Sequence, residues 1–296
     1  MIYPKISLVT TCYNHKDFIA ETIESILSQG YPNLEYIVID DGSTDGSWEI
    51  IQRYKDKLTH CERMDGYRDT PTIALNYALS KTTGKIMGWL NSDDILLPKS
   101  LFTIAKVFTD VPQAEWITGM SSTINERSEI INSRLRLKNK YDFLIGDWKV
   151  IQQESTFWRR SLWDRARGHL EGKHKWAFDT ELWTRFFFLA EHYHVDTPLG
   201  AFRKSMKSKS TSDQNSFLEP NRLYLAEMRK RASLSFLFKA YVCWFVKRFL
   251  SFAFRLIPVA ILRQTPLLRH MCYKGIFYSF QRDAWEVCLF HPFRRE

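Results

Sequence analysis

Ile86-Met87-Gly88-Trp89-Leu90, followed at once by Asn91-Ser92-Asp93-Asp94, decides how this chain is read. A short apolar run ending in an acidic cluster reads as a buried strand with oxygen ligands at its carboxyl end. Open α/β sheets bind ligands and metals there. Hard oxygen ligands suit Mg²⁺ or Mn²⁺, and such an ion suits a diphosphate. Two upstream runs repeat the pattern. Ile6-Ser7-Leu8-Val9-Thr10-Thr11 leads into Cys12-Tyr13-Asn14, and Leu34-Glu35-Tyr36-Ile37-Val38-Ile39 ends in Asp40-Asp41-Gly42-Ser43-Thr44-Asp45. Three strand ends of this kind imply one crevice for a nucleotide.

The segments between the strands read as helices. Asp17 to Gln29 places Phe18, Ile19, Ile23, Ile26 and Leu27 on one face and is stopped by Gly30 and Pro32. Asp45 is a cap for the next helix. Pro71 to Ser80 carries proline in its first turn, and Pro98 opens a helix over Leu101 to Phe108. Repeated βα units predict a mainly parallel, Rossmann-like sheet with helices on both faces. From about 115 to 160 the pattern is irregular. Glu115 to Ser122 and Ser128 to Leu137 read as strands or loops on the acceptor side. Arg134, Arg136, Lys138 and Lys140 form a basic rim, read first as a solvated face and alternatively as a contact to an acceptor phosphate.

The chain's 296 residues suffice for one large α/β domain plus an appendage, and 45% hydrophobic with 25% charged residues is ordinary globular composition. Cys12, Cys61, Cys243, Cys272 and Cys288 are scattered and odd in number, which favours a reducing compartment over a disulfide framework or structural zinc. The N-terminus runs straight into a strand without a signal-peptide pattern, so a cytoplasmic catalytic domain is expected.

Charge is unevenly placed. Residues 221 to 296 hold 14 Lys and Arg against 4 Asp and Glu, a balance of +10, while the first 220 hold 28 against 29. Such asymmetry suggests an anionic partner for the tail. Leu234 to Leu262 is apolar and aromatic but interrupted by Lys239, Lys247, Arg248 and Arg255, too often for a membrane span. On a helical projection Tyr241, Val242, Phe245, Phe249, Phe252 and Leu256 share one arc and the four cations lie opposite. This predicts a basic amphipathic helix lying in a membrane interface. Trp244, Trp285, Phe290 and Phe293 extend the aromatic character. The competing reading is a helix packed on the catalytic domain with its cations facing water. Nucleic acid is disfavoured, because the aromatics form a face and are not interleaved with cations along a groove. The expected division is 1–215 for the catalytic domain and 216–296 for a helical membrane-association region. Residues 203 to 220 are expected to form a closing loop.

The motifs taken together resemble glycosyltransferase family 2, the inverting, metal-dependent, nucleotide-sugar enzymes of the GT-A fold. The resemblance rests on Ser7 to Asn14, Asp40 to Asp45, Trp89 to Asp94, Ala74-Leu75-Asn76, Gln153 with Ser155 to Arg159, Asp179 to Trp183 with Arg185, Phe202-Arg203 and Ser208-Lys209-Ser210. It covers about residues 4 to 210. Each motif is weak alone, while their order and spacing are specific.

The resemblance implies roles. Asp93 matches the final carboxylate of the family's DxD motif and is the metal ligand. Asn91 stands where the first Asp is usual, so an amide oxygen would join it on the ion or the ribose. Asp41 resembles the carboxylate that accepts from a nucleobase imide N–H, which favours uracil or thymine over cytosine; Asp40 is the alternative. Thr11 and Tyr13 shape the base pocket, and Ser92 and Arg203 complete the nucleotide-binding set. Lys207 and Lys209 are further candidates for the diphosphate. Asp179 is the general base, although on local grounds a helix cap would explain it equally. Glu181 should pair with Arg185. Trp176 and Trp183 are candidates for stacking on sugar rings, and Gln153 for the acceptor site. Ser205 stands where the family often has a metal- or phosphate-contacting His, a departure that weakens that part of the site.

The resulting expectation is an inverting hexosyltransferase, with UDP-sugar the favoured donor, acting with Mg²⁺ or Mn²⁺ at the cytoplasmic membrane face. The acceptor would be a lipid-linked saccharide or glycolipid; a homo-oligomer is compatible with the sequence. A sugar nucleotidyltransferase would need a Gly-rich, cationic phosphate loop after its first strand, which Thr11-Cys12-Tyr13-Asn14 is not. A catalytically inactive membrane-bound scaffold would have no use for both Asp93 and Asp179.

Overall fold

The computed structural model describes residues 3–66, 70–145, 151–172, 177–205, 214–249, 259–264 and 268–290. Trp176, Lys207, Lys209, the Ser208 to Ser210 motif, Phe252, Arg255, Leu256 and Phe293 lie outside them. So do residues 206–213 of the expected closing loop, whereas its residues 214–220 are helical rather than loop.

β1 (Ile6–Cys12), β2 (Leu34–Asp40), β3 (His60–Arg63) and β4 (Ile86–Trp89) pair in parallel, in the spatial order β4-β1-β2-β3. Alternating apolar side chains send Val9, Ile37 and Ile39 to one face and Leu8 and Val38 to the other, as a sheet buried on both sides requires. α1 (Ile19–Leu27), α2 (Ser47–Gln52) and α4 (Ser100–Asp110) accompany α3 (Pro71–Ser80) in the βα repeats. α1 and α4 pack on the Leu8 face, whereas α3 packs on the Val9 face. The register pairs Cys12 with Asp40, so β1 and β2 end level, while β4 ends at Trp89 opposite Val9 and its acidic turn continues toward the same edge.

Beyond β4 the sheet changes direction. β8 (Thr156–Arg159) lies antiparallel between β4 and β6 (Trp116–Ile124), and β9 (His192–Arg203) runs parallel to β6. The short β5 (Ile95–Leu96) pairs with β9, and β7 (Ile130–Arg134) pairs with β6. An antiparallel strand presents its start where its neighbours present their ends. The turn Gln153–Ser155, immediately before β8, is thereby brought to the ligand end of the sheet.

α5 (Lys140–Ile145), α6 (Arg160–Arg165) and α7 (Phe178–Leu189) contribute to the core on the Val9 face. Its centre is aromatic. Trp183 stacks on Trp89 at 5.8 Å and 6° and on Trp116 at 5.6 Å and 21°, while Trp158 meets Trp89 and Trp183 edge-on. Trp183 is 1% exposed. It is therefore a core residue, not the sugar-stacking residue expected from the sequence.

The C-terminal part is helical only in part. α8 (Gln214–Arg231) crosses the expected 215/216 boundary without a break, and α9 (Leu234–Phe249) and α10 (Val259–Gln264) follow. β10 (Tyr273–Ser279) and β11 (Ala284–Phe290) then form an antiparallel hairpin, with β10 running parallel to β9 and extending the sheet. This corrects the expectation of a wholly helical region. Phe290 is buried and Trp285 packs against the core of the Leu8 face, so neither belongs to a membrane-facing set.

α9 divides its faces in a way the projection only half anticipated. Ala240, Cys243 and Val246 are buried against the Val9-face core, and Val242 is partly buried there. Lys247 turns inward to Asp142 at 2.6 Å and the Tyr273 hydroxyl at 2.8 Å, so it is not a solvent-facing cation. Leu234, Phe238, Tyr241, Phe245 and Phe249, spaced three and four residues apart, remain exposed, as does Trp244. No described helix is long and apolar enough to cross a membrane.

Replacing Trp183 with alanine removes the centre of the aromatic stack. Trp183→Ala is expected to lower the unfolding free energy by about 3–5 kcal/mol, read from urea denaturation without any substrate. A side chain serving only the acceptor would leave that midpoint unchanged.

Candidate active site

The loops after β1 and β2 are knitted together by their own polar groups. Asn14 N–H donates to Ser43 Oγ at 2.9 Å, its side-chain oxygen accepts from Thr44 N–H at 2.8 Å, and Lys16 N–H donates to Asp45 at 3.0 Å. Asp45 also accepts from Ser47 N–H and Oγ at the start of α2. The chain turns sharply here. Asn14 has φ 55°, and Gly42 at φ 78° lies so close to Gly66 that a Cβ would come within 3.0 Å of its Cα.

Asp40 is fully buried, accepts from Ser43 N–H at 2.9 Å and lies 3.5 Å from the Arg63 guanidinium. One of its oxygens has no partner among the described residues. Asp41 is buried at the adjoining step, its N–H donating to Cys12 O at 2.7 Å. Thr11 and Tyr13 are half-buried at the end of β1.

The acidic turn after β4 separates its carboxylates by task. Asp94 is fully buried, accepts from the Arg203 backbone N–H at 2.8 Å and from the Asn91 amide at 3.0 Å. Burial first, then the neighbouring Asp93 and Glu154, pushes its pKa well above the ordinary range. Asp93 instead stays partly open on the wall of a cavity of about 360 Å³. Tyr13, Asn14, His15, Lys16, Asp17, Phe18, Asp45 and Ser205 complete the lining. His15 stands 4.0 Å from Asp93 and is held by Ser92, whose hydroxyl meets Nδ1 at 2.7 Å. Ser92, expected at the nucleotide, is a buried anchor for this imidazole.

Arg203 requires a correction. It was expected on the diphosphate, yet its side chain is 0% exposed and its donors are engaged within the protein. Nε donates to Asp93 O at 2.7 Å, Nη1 to Ser128 Oγ at 2.9 Å and Asn125 O at 3.1 Å, and Nη2 to Glu21 at 2.7 Å. The guanidinium lies over Phe18 at 4.9 Å. Arg203 therefore orients the backbone of Asp93, and its five donors suit that forked task.

Asp179 sits in the first turn of α7, after Ala177 at φ 67°, a conformation uncommon for alanine. Its carboxylate accepts from Thr180 N–H at 2.7 Å. The residue keeps some open surface, but protein surrounds the carboxyl, and burial raises its pKa against the lowering effect of the Thr180 bonds. Two turns of this helix are pinned by the expected Glu181–Arg185 pair, at 2.6 and 2.8 Å.

Gln153 lies at the start of β8, but its amide donates to Trp89 O and the side chain is buried. It braces the β4 end, so the expected direct acceptor contact is not what its bond supplies. Sequence reasoning passed over its neighbour. Glu154 is 3% exposed, and its carboxyl is pushed up to about 8, first by burial and then by Asp179 and Asp93. Both carboxylates thus bear electrostatically on one buried group. An acidic residue inside the otherwise uncharged run Gln152 to Trp158 was the available signal. His15 was likewise signalled only by its place after β1.

Among the described residues no group of three or more His, Cys, Asp or Glu side chains is arranged to hold a metal. Mg²⁺ and Mn²⁺ brought in with a diphosphate need only one or two protein oxygens, the rest coming from phosphates and water. Asp93 with the Asn91 amide oxygen fits that donor set.

The Glycosyl transferase family 2 model matches residues 7–193, well over half of the chain. The beta-1,3-glucosyltransferase WfaP of Escherichia coli, whose name gives UDP-Glc and an alpha-D-GlcNAc-diphosphoundecaprenol as its substrates, is 42% identical over 89 residues, 30% of this chain. The alignment spans only 35% of WfaP. An uncharacterized glycosyltransferase of Rickettsia prowazekii (strain Madrid E) is 34% identical over 203 residues, 64% of this chain and 61% of that protein. Among solved structures, S. aureus TarS 1-349 in complex with UDP-GlcNAc aligns with a TM-score of 0.64 at 18% identity, over 90% of this chain and 78% of TarS. The mannosyltransferase PcManGT of Pyrobaculum calidifontis, in complex with GDP-Man and Mn²⁺, aligns at 0.53 and 19% identity, over 91% and 83%. These structures share the fold, and on the family match this chain belongs to glycosyl transferase family 2.

Proposed function

We propose that this glycosyltransferase moves a hexose, with inversion, from a nucleoside-diphosphate sugar to a lipid-linked saccharide at a membrane surface. What supports the chemistry is that Asp93 lines the cavity just past the end of β4, while Asp179 opens α7, a helix packed on that strand end through Trp89 and Trp183. An inverting displacement needs the leaving diphosphate on one side of the anomeric carbon and a base on the other. Asp93, at the strand end, belongs to the diphosphate side. Asp179, on α7, belongs to the acceptor side. There it takes the proton of the attacking hydroxyl as the glycosidic bond forms and the bond to the diphosphate breaks. A divalent ion held by Asp93 and Asn91 would offset the charge developing on the departing diphosphate. Asp41, with Asp40 behind it and Thr11 and Tyr13 beside it, would read the base. A carboxylate accepting from an imide N–H favours UDP, the donor nucleotide in the WfaP name and the TarS complex.

The membrane reading is supported by the exposed ridge of α9, by the +10 balance of residues 221–296 and by the lipid-linked acceptor in the WfaP name. An apolar ridge beside cationic chain suits monotopic attachment to an anionic leaflet, on the cytoplasmic side where nucleotide sugars are supplied. The scaffold alternative remains less economical, since it leaves Asp93 and Asp179 without a task.

Asp93→Ala is expected to abolish metal-dependent transfer while the apo protein melts near the wild-type temperature. Near-normal turnover of this variant, or full wild-type activity in excess chelator, overturns the metal assignment.

Asp179→Asn should reduce transfer by about 10²-fold or more with donor affinity little changed. The base must be unprotonated to act, and its pKa is raised, so wild-type activity should fall on acidification at a pH above the ordinary carboxyl range. A kcat/KM profile checks this limb; its survival unchanged in a fully active Asp179→Asn protein would remove Asp179 as the base.

Replacing Phe238, Tyr241, Phe245 and Phe249 together with serine should release the protein from vesicles containing anionic lipid. Transfer to a water-soluble acceptor should persist. Cosedimentation at low and high salt is the measurement, and high salt alone should release wild-type protein only partly, because apolar burial is not screened.

A further inference from the structure

Glu154 has no task in the chemistry just described, yet the fold holds it in place from three directions. On one side the Gln153 amide is bonded to Trp89 O. On the other, Ser155 Oγ donates to Gly200 O at 3.0 Å and accepts from Gly200 N–H at 3.1 Å. Across the gap, Gly200 lacks a side chain where one is impossible: a Cβ there would stand 2.2 Å from Glu154 O. The turn Gln153–Ser155 is therefore clamped between the ends of β4 and β9. Despite this anchoring, Glu154 Oε1 has no hydrogen-bond partner among the described residues, and the side chain is 97% buried. Buried polar atoms are paired in the great majority of cases, and an orphan in a fixed position calls for a ligand or a functional reason.

The position defines the ligand. Because β8 runs antiparallel between β4 and β6, the turn stands at the ligand end of the sheet, bonded to the last residue of β4 just before the acidic turn, and the Asp93 and Asp179 charges bear on its carboxyl. The diphosphate belongs to the Asp93 side and the attacking hydroxyl to the Asp179 side, so the transferred ring must lie between them. A phosphate would be repelled by the carboxylates gathered here. A sugar hydroxyl is neutral and donates, and a carboxyl can accept from it whether or not it carries a proton.

We infer that Glu154 is a substrate-binding residue that accepts a hydrogen bond from a ring hydroxyl of the donor hexose and so selects which hexose is transferred. The inference rests on the glycosyltransferase reading of the cleft and adds the contact that would read the sugar. Sites built to bond a substrate hydroxyl discriminate strongly against analogues lacking it, because the buried partner is then left unpaired.

The test uses the full chain with Mn²⁺ and calorimetric titration of UDP, GDP, their glucose, galactose, mannose and N-acetylglucosamine conjugates, and monodeoxy forms of the best donor. In wild type, one monodeoxy donor should lose about 10- to 100-fold in affinity, the scale of a buried hydrogen-bonding group left unpaired. Glu154→Ala should lose the same factor for the intact donor, bind bare nucleotide as wild type does, and no longer distinguish intact from deoxy donor. Glu154→Gln preserves size and an accepting oxygen, so it should retain part of the discrimination. It serves as the variant of record should Glu154→Ala fail to fold. Unchanged sugar discrimination in Glu154→Ala, or in Glu154→Gln an equal loss for bare nucleotide and intact donor, overturns the inference. Wild-type protein that binds a nucleotide but gains nothing from any hexose overturns the underlying reading of the cleft as well.

Discussion

The buried carboxylate of Asp94 is the constraint on which the site depends. By accepting from the Arg203 backbone and the Asn91 amide, it joins the turn after β4 to the far end of β9. Arg203 completes the junction by bonding Asp93 O and reaching Glu21 on α1. Three elements distant in sequence are thereby locked around one turn, and Asp93 is left on the cavity wall with its backbone oriented. A buried carboxylate is costly unless its lone pairs are met. Here the partners are main-chain and amide donors whose positions the sheet already sets. Of two adjacent aspartates, one is thus fixed in the interior and the other is left on the cavity wall.

The aromatic core works in the same direction from below. Trp89 is the last residue of β4, its carbonyl is bonded by Gln153, and its ring stacks on Trp183 of α7. The strand end that carries the acidic turn and the helix that carries Asp179 are consequently packed through Trp89 against Trp183 and Phe178. Close packing of large rings tolerates little displacement, which holds the end of β4 firmly against α7. Site precision therefore comes from residues that touch no substrate.

The C-terminal region is bound to the catalytic core while leaving one surface unspent. α9 buries Ala240, Cys243 and Val246, and β10 extends the sheet beside β9. Lys247 pairs with one oxygen of the buried Asp142, a use of positive charge unrelated to any surface. What remains outward is apolar and aromatic, Leu234 to Phe249 at helical spacing. Exposed apolar patches of this kind mark contact surfaces more often than accident.

Much of the fold was legible locally. The alternation of apolar strands and amphipathic helices, the punctuation by Gly30, Pro32, Pro71 and Pro98, and the acidic turn after Trp89 are short-range patterns that specify βα units and a ligand end. Asp93, Asp179, Asp40 and Asp41 stand out because charge at the end of an apolar run is visible in one dimension. The roles of Arg203, Gln153, Ser92 and Trp183 were not visible in this way. An arginine in a basic run looks like a phosphate ligand until all three of its guanidinium nitrogens are seen to meet protein oxygens, and a tryptophan on a helix looks the same whether it faces sugar or Trp89. Nor could composition show that residues 273–290 would pair as strands at the sheet edge, since strand pairing is a non-local choice. The direction of β8 is the clearest case. Only the assembled sheet, by taking that strand antiparallel, carries Glu154 to the ligand end beside Asp93 and Asp179. Pairing direction is a relation between strands far apart in sequence, here β8 with β4 and β6, and is not written in the residues of the strand itself.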